Sequence, residues 1–254
     1  MSSITWTPGA LASEAHRLIG RGWRIVEAQH RISTLKLTDT LEEQALLETV
    51  LEHSKPPLPP ECADLDYLLA APFRYGAEYP KGSRFRRSGH TSGVFYCSRN
   101  SETAIAETSF HRLLFYAESP SVRPPQQAAE YTAFAAQLAT ESAIDLAQPP
   151  FDIDAAKWMS PDEYSACQEL ADIARQALVD VIAYASVRDP QHRQNLAVLH
   201  CRAFARPAPV ARQTWHLAIA TDRVRAICEM PSMRLEFPLE AFAADPRLAP
   251  LLGV

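Results

Sequence analysis

Residues 215–239 read WHLAIATDRVRAICEMPSMRLEFPL. Three strand candidates follow one another here, Trp215 to Ala220, Val224 to Glu229 and Met233 to Leu239, two of them alternating between apolar and polar residues. Further candidates lie upstream at Trp23 to Ala28, Gly93 to Ser98, Tyr131 to Ala139, Val181 to Val187 and Asn195 to Ala203. Helix signals fall between them. Residues 10–19 carry Leu11, Ala15, Leu18 and Ile19 on one face, with Gly20 as a stop. Thr40 to Glu43 forms a capping box ahead of Leu47, Val50 and Leu51. Ser101 caps a helix through Tyr116 that carries Ile105, Phe110, Leu113 and Leu114. Ser160-Pro161-Asp162-Glu163 supplies an N-cap, a proline at N1 and a glutamate at N3 for a helix to about Val179. Strands and helices mix without a regular βαβα rhythm, so the expectation is an α+β fold with a twisted, mostly antiparallel sheet and surrounding helices.

The chain has 254 residues, 47% hydrophobic and 22% charged, an ordinary globular composition with length enough for a sizeable core. Its net charge of -5 gives no general attraction to nucleic acid. No apolar run approaches the roughly 20 residues of a membrane span, and the N-terminal segment lacks the basic and apolar regions of a signal peptide. A cytoplasmic protein without direct nucleic-acid or membrane contact is expected. Nine of the 20 prolines fall at 55–60, 120–125 and 148–150, which punctuates one domain rather than separating several. The expected organisation is a single domain over residues 1–254, with residues 1–22 as a helical extension.

The five cysteines, Cys62, Cys97, Cys167, Cys201 and Cys228, are odd in number and widely spaced. That excludes a CxxC zinc knuckle and argues against a disulfide framework, leaving them as small apolar residues. Neither GxGxxG nor GxxxxGK[ST] occurs, HExxH is absent, and no histidine of the eight pairs with another at i, i+4. Gly89-His90-Thr91-Ser92-Gly93 has its serine one place late for a nucleophile elbow.

One stretch is unusual. Gly76, Gly82, Gly89 and Gly93 are four of only eight glycines, and Arg74, Lys81, Arg84, Arg86, Arg87 and Arg99 crowd the same region. Glycines let backbone amides approach a ligand, and arginine forks bind phosphate oxygens, so a phosphorylated small molecule fits this loop. A solvated basic loop fits the same composition. Next come the strand Val94-Phe95-Tyr96-Cys97, whose Tyr96 can face the same cleft, and a helix bearing Glu107 among small and apolar neighbours. A carboxylate on such a face is costly unless paired or functional.

At these residues the sequence resembles the RES domain family, the toxins of RES–Xre toxin–antitoxin pairs. The resemblance runs from about Trp23 to Leu199. It takes in Arg31 within Ala28-Gln29-His30-Arg31-Ile32-Ser33, then Pro72-Phe73-Arg74-Tyr75, Gly82-Ser83-Arg84-Phe85, Phe95-Tyr96 and Thr103-Ala104-Ile105-Ala106-Glu107. Ser186 follows in Tyr184-Ala185-Ser186-Val187-Arg188, and Asn195-Leu196-Ala197-Val198-Leu199 closes the series. Members often have Gly-Gly-Arg-Trp-Asn where this chain has Gly82-Ser83-Arg84-Phe85-Arg86, a departure that matches a longer, ADP-ribosylating subgroup.

The resemblance implies a fold similar to ADP-ribosyltransferase toxins and consumption of NAD⁺ as co-substrate. It also implies an Xre-type antitoxin that occludes the pocket and a protein acceptor such as an enzyme of nucleotide synthesis. Breaking the nicotinamide–ribose bond develops positive charge on C1′. Under this resemblance Arg31 and Arg84 grip the pyrophosphate, with Arg74 and Ser83 alongside. Tyr96 stacks on nicotinamide or the ribose edge, and Glu107 holds the ribose hydroxyls and favours the developing cation. Ser186 hydrogen-bonds the nicotinamide amide, Glu107 or a phosphate. Glu107, Tyr96 and Arg31 are the expected catalytic set. No metal is expected, because nicotinamide is already a cationic leaving group. An NAD⁺ glycohydrolase or phosphorylase is the close alternative, and a nucleotide-binding module without turnover is a more distant one. Glu102, five residues before Glu107, does not form the E-x-E pair of many side-chain modifiers, which disfavours arginine as acceptor.

Overall fold

The computed structural model describes residues 4–27, 37–74, 82–89, 92–220 and 222–252. Every strand expected from the sequence is present: β1 (His16–Glu27), β2 (Phe95–Ser98), β3 (Ala129–Asp145), β4 (Val181–Ala185), β5 (Gln194–Val198), β6 (Ala211–Ile219), β7 (Arg223–Cys228) and β8 (Met233–Pro238). They form one sheet in the order β1-β2-β5-β4-β3-β6-β7-β8. Every pairing is antiparallel except that of β3 with β4, and seven α-helices accompany the sheet among the described residues. The architecture is α+β, as expected.

The length of β3 decides the shape. Its residues 131–143 pair with β1 along one edge, while 129–135 pair with β6 and 143–145 with β4 along the other. Because β1 also pairs with β2, the strands β1-β2-β5-β4-β3 close on themselves, and β6-β7-β8 extend outward as a meander. Closure removes the open edges that would otherwise expose unpaired amides. Ala133, Phe134, Ala135, Ala136 and Leu138 of β3 are all fully buried, so both faces of this strand are covered.

Alternation on β2 sends Phe95 and Cys97 into one core, with Leu69, Phe73, Leu196 and Val198. Tyr96 faces the other, with Phe85, Ile182, Tyr184 and Ala197. The remaining helices are α1 (Pro8–Ser13), α2 (Leu41–His53), α3 (Tyr67–Arg74), α4 (Ser101–Glu118), α5 (Ala155–Trp158), α6 (Ser165–Gln176) and α7 (Ala249–Leu252). Helix α4 packs Ile105, Phe110, Leu113 and Leu114 against Trp215, Leu217, Val224, Ala226 and Phe237 of the meander.

The structure corrects several expectations. The helix expected over 10–19 ends at Ser13, and β1 begins at His16, so residues 16–22 belong to the sheet rather than to a helical extension. Gly20 does not stop a helix; it pairs with Leu138 in mid-strand, and sheet pairing overrides the local pattern. The Thr40/Glu43 capping box forms as read, but α4 is capped by Asn100, whose side chain accepts from Thr103 N. Ser160 does accept from Glu163 N at 3.1 Å, yet α6 starts only at Ser165. The Pro161 carbonyl accepts from Arg188, Arg247 and the Tyr164 hydroxyl instead of continuing a helix. Cys62 and Cys201 form a disulfide across 139 residues, with Cα atoms 5.6 Å apart, while Cys97, Cys167 and Cys228 are buried free thiols. The spacing of the cysteines in sequence concealed a pair that only the fold brings together. No helix among the described residues is long and apolar enough to cross a membrane.

Candidate functional site

Strand register assembles the site. Ser98, Asn195 and Tyr184 lie directly opposite one another across β2, β5 and β4, and Tyr96, Ala197 and Ile182 form the adjacent row on the same face. Helix α4 crosses β1 and β2, and its cap at Asn100 fixes where Glu107 falls along it. Ser186 follows the last residue of β4 and is fully buried.

The side chains converge on one carboxylate oxygen. Ser186 Oγ donates to Glu107 Oε1 at 2.6 Å, and Asn195 Nδ2 donates to the same oxygen at 2.6 Å. Asn195 Oδ1 in turn accepts from Ser98 Oγ at 2.6 Å. Ser186 Oγ is itself oriented by the backbone amides of Arg188 (3.2 Å) and Asp189 (2.9 Å). Buried Asp189 ties this turn to the start of α4 through Thr103 Oγ1 at 2.8 Å and accepts two bonds from Arg193. With Oε1 doubly held and no partner on Oε2 among the described residues, that second oxygen can accept from a ligand.

Tyr96 pins the loop of residues 82–89. Its hydroxyl accepts from Phe85 N at 3.0 Å and shares a hydrogen bond with Ser83 Oγ at 2.7 Å. Burial pushes the phenol above its ordinary pKa, against the hydrogen bonds of Ser83 and Phe85 and the charges of Arg84 and Arg175. The loop closes by reciprocal backbone bonds between Ser83 and Arg86. Gly82 opens it at φ +65°, where a Cβ would come within 2.5 Å of the Arg86 carbonyl. Gln168 of α6 caps the Ser83 and Arg86 carbonyls.

Arg84 is held where it can feel Glu107, but its fork is partly committed. Two of its N–H groups donate to the carbonyls of Trp158 (2.7 Å) and Ser160 (2.9 Å), and its plane lies 4.7 Å over the Tyr164 ring. Burial lowers its affinity for the proton, but the sulfur and hydroxyl groups of Cys167, Tyr184 and Tyr164, with Glu107, outweigh this and raise it. Tyr184 stacks edge-on against Phe85 at 4.9 Å. Burial, then the negative charge of Glu107, drives its phenol well above the ordinary tyrosine value.

The structure therefore gathers Ser83, Arg84, Tyr96, Glu107 and Ser186 on one face of the sheet, and adds Asn195, Ser98 and Tyr184. Sequence reasoning missed Asn195, whose signal was an amide heading the otherwise apolar run Leu196-Ala197-Val198-Leu199. Arg74 is not gathered with them. It pairs with Glu52 and lines a small open pocket of about 120 Å³ with Lys55, Leu58 and Tyr67. A second pocket of about 110 Å³ lies beside Phe73 and Cys201, so neither of these two is the Glu107 site. Arg31 lies outside the described residues. Among the described cations of the basic stretch, Arg87 pairs with Asp172 and Arg99 bonds Gln194.

No curated protein matches the chain. A family model described as the RES domain matches residues 58–220. That span starts later than the resemblance read from Trp23, leaving Arg31 outside it, and reaches past Leu199 to include β6. It holds Arg74, Ser83, Arg84, Tyr96, Glu107 and Ser186, together with Asn195 and Tyr184. Covering well over half of the 254 residues, and all of the carboxylate cluster just described, the match makes this chain a member of the RES domain family.

Proposed function

We propose that the protein is the NAD⁺-consuming toxin of a toxin–antitoxin pair, a mono-ADP-ribosyltransferase that moves ADP-ribose from NAD⁺ to a cellular protein and releases nicotinamide. Membership of the RES domain family supports the toxin–antitoxin setting. The observation that carries the chemistry is the Glu107 carboxylate with one oxygen fixed by Ser186 and Asn195. When the C1′–N bond breaks, nicotinamide leaves with the bonding pair and positive charge grows on the ribose. A preoriented carboxylate stabilises that charge without reorganising, and its second oxygen accepts from a ribose hydroxyl.

In this reading Tyr184 and the Tyr96 ring wall the nicotinamide pocket, with Ser83 and Ser186 at its polar edge. Arg84 offers its remaining N–H groups to the pyrophosphate, and Arg31 is the second phosphate anchor. Arg74 takes part only by leaving Glu52. An Xre-type antitoxin covers the pocket until the toxin is released, and the enzyme works in the cytoplasm. The test is incubation of the chain with NAD⁺ labelled on the adenylate phosphate, with and without cell lysate. Label on a protein band supports transfer. Free ADP-ribose points to glycohydrolase activity and ADP-ribose-1″-phosphate to phosphorolysis; absence of nicotinamide release contradicts all three.

A further inference from the structure

His111 stands one helical turn after Glu107 on α4, and residues four apart on a helix have Cβ atoms about 6 Å from each other on one face. Phe110, Leu113 and Leu114 around it are buried, whereas His111 is exposed. Its ring meets Phe110 edge-on at 5.3 Å. Among the described residues neither ring nitrogen has a hydrogen-bond partner, so a lone pair is open to solvent or to an incoming group. The charges facing it are Glu107 on its own helix, Arg188 from the turn after β4, and Asp245 and Arg247 beside the 3-10 turn Pro246–Leu248 that packs on α4. The residue keeps its access to solvent, yet the protein beside its ring lowers its affinity for the proton, Arg188 and Arg247 lower it further, and Glu107 and Asp245 act in the opposite sense. The net direction is down, which favours the neutral imidazole, the form that can accept a proton.

We propose that His111 is the base that deprotonates the ADP-ribose acceptor, and that this acceptor is a neutral hydroxyl, of a side chain or of water, rather than a guanidinium. The inference rests on the reading of the chain as an NAD⁺-cleaving enzyme and specifies its acceptor side. The acceptor oxygen bonds to ribose C1′ as the C1′–N bond breaks. Nicotinamide departs neutral with the electron pair, and the hydroxyl proton passes to His111 and then to solvent. A hydroxyl needs this help because it is a poor nucleophile while protonated. Glu107 is engaged with the ribose, and Glu102, five residues away, leaves no second carboxylate on that face of α4 for a guanidinium.

The experiment follows nicotinamide release from NAD⁺ between pH 5.5 and 8.5 for the wild-type chain, His111→Ala and His111→Gln, with melting temperatures recorded to confirm folding. The wild type should gain activity as pH rises through an inflection below the ordinary histidine value. Both variants should lose on the order of 10²-fold at pH 7.5, lose the inflection, keep their affinity for NAD⁺, and recover part of the rate with added imidazole in the alanine variant. Mass spectrometry of the labelled product separates the two acceptors: free ADP-ribose identifies water, and a modified serine, threonine or tyrosine identifies a side-chain hydroxyl. Normal wild-type release with an unchanged His111→Ala profile overturns the inference and leaves the NAD⁺ reading standing. So does label on arginine, or ADP-ribose-1″-phosphate as the product, since phosphate is already an anionic nucleophile. A wild type that releases no nicotinamide at any pH overturns the NAD⁺ reading and the inference with it.

Discussion

Asn195 donates its side-chain amide to Oε1 of Glu107 at 2.6 Å, joining a sheet strand to the helix that carries the carboxylate. The bond is charge-assisted and belongs to a chain that continues to Ser98. Asn195→Ala removes it and leaves Ser98 without its acceptor. Hydrogen bonds to charged groups contribute about 1.5–3 kcal/mol, so nicotinamide release should fall roughly 10- to 100-fold. Ser98→Ala, one step further from the carboxylate, should cost less. Steady-state rates for the two variants test this ordering; equal losses would contradict it.

Tyr96→Phe keeps the ring and deletes the hydroxyl that holds Phe85 N and Ser83 Oγ. The 82–89 loop, and Arg84 on it, should then exchange amide hydrogens faster, while the melting temperature shifts only slightly. The kinetic signature is a raised KM for NAD⁺ with a smaller change in kcat. Unaltered exchange in that loop would count against a pinning role.

The neighbourhood of the site depends on a buried charge cluster. Arg188, 6% exposed, pairs with Asp245 Oδ2 at 2.8 Å and lies 3.9 Å over the Phe110 ring, while Arg247 pairs with the same carboxylate at 2.7 Å. Arg188→Ala leaves Asp245 with Arg247 still bound to it but removes one charged partner and the cation over Phe110, and should destabilise the fold by about 1.5–3 kcal/mol. Burial alone would raise the Asp245 pKa, but the Arg247 hydrogen bonds and the charges of Arg188 and Arg247 bring it below its ordinary 3.8. A depressed carboxylate stabilises the fold above the unfolded value and ceases to do so as pH falls through the folded one. Melting temperature should therefore drop as pH goes below about 4. Asp245→Asn should flatten this acid limb; an unchanged limb would contradict the assignment.

Much of this was legible in advance, for identifiable reasons. All eight strands were visible because their apolar runs are bounded by turn residues, and the 215–239 segment carried three strand candidates in succession. Glu107 stood out as a carboxylate among apolar helix neighbours, and it proves to be the hub of the hydrogen-bond network. What escaped notice depends on distant parts of the chain. The apolar face at 10–19 belongs half to a strand because β3 pairs with it, and the cap at Ser160 leads into a turn because Arg188 takes the Pro161 carbonyl. Arg84 was read as a free fork, whereas the carbonyls of Trp158 and Ser160, more than 70 residues away, occupy part of it.

The Cys62–Cys201 bridge is the clearest such case, since nothing local links those positions. It encloses 139 residues, and the chain-entropy account gives about 5 kcal/mol for a loop of that length. Thiol titration of the unfolded, unreduced chain should find the three free cysteines Cys97, Cys167 and Cys228. Reduction, or Cys62→Ala, should lower the melting temperature. Five titratable thiols in the unreduced chain would contradict the bridge.

The most direct measurement of the central claim is the rate of nicotinamide formation from NAD⁺ by the wild-type chain and by Glu107→Gln at matched folded concentration. Glutamine preserves the volume of the side chain but removes its negative charge. The rate should fall by at least about 10², with NAD⁺ binding retained. A Glu107→Gln protein that forms nicotinamide at the wild-type rate would contradict the account.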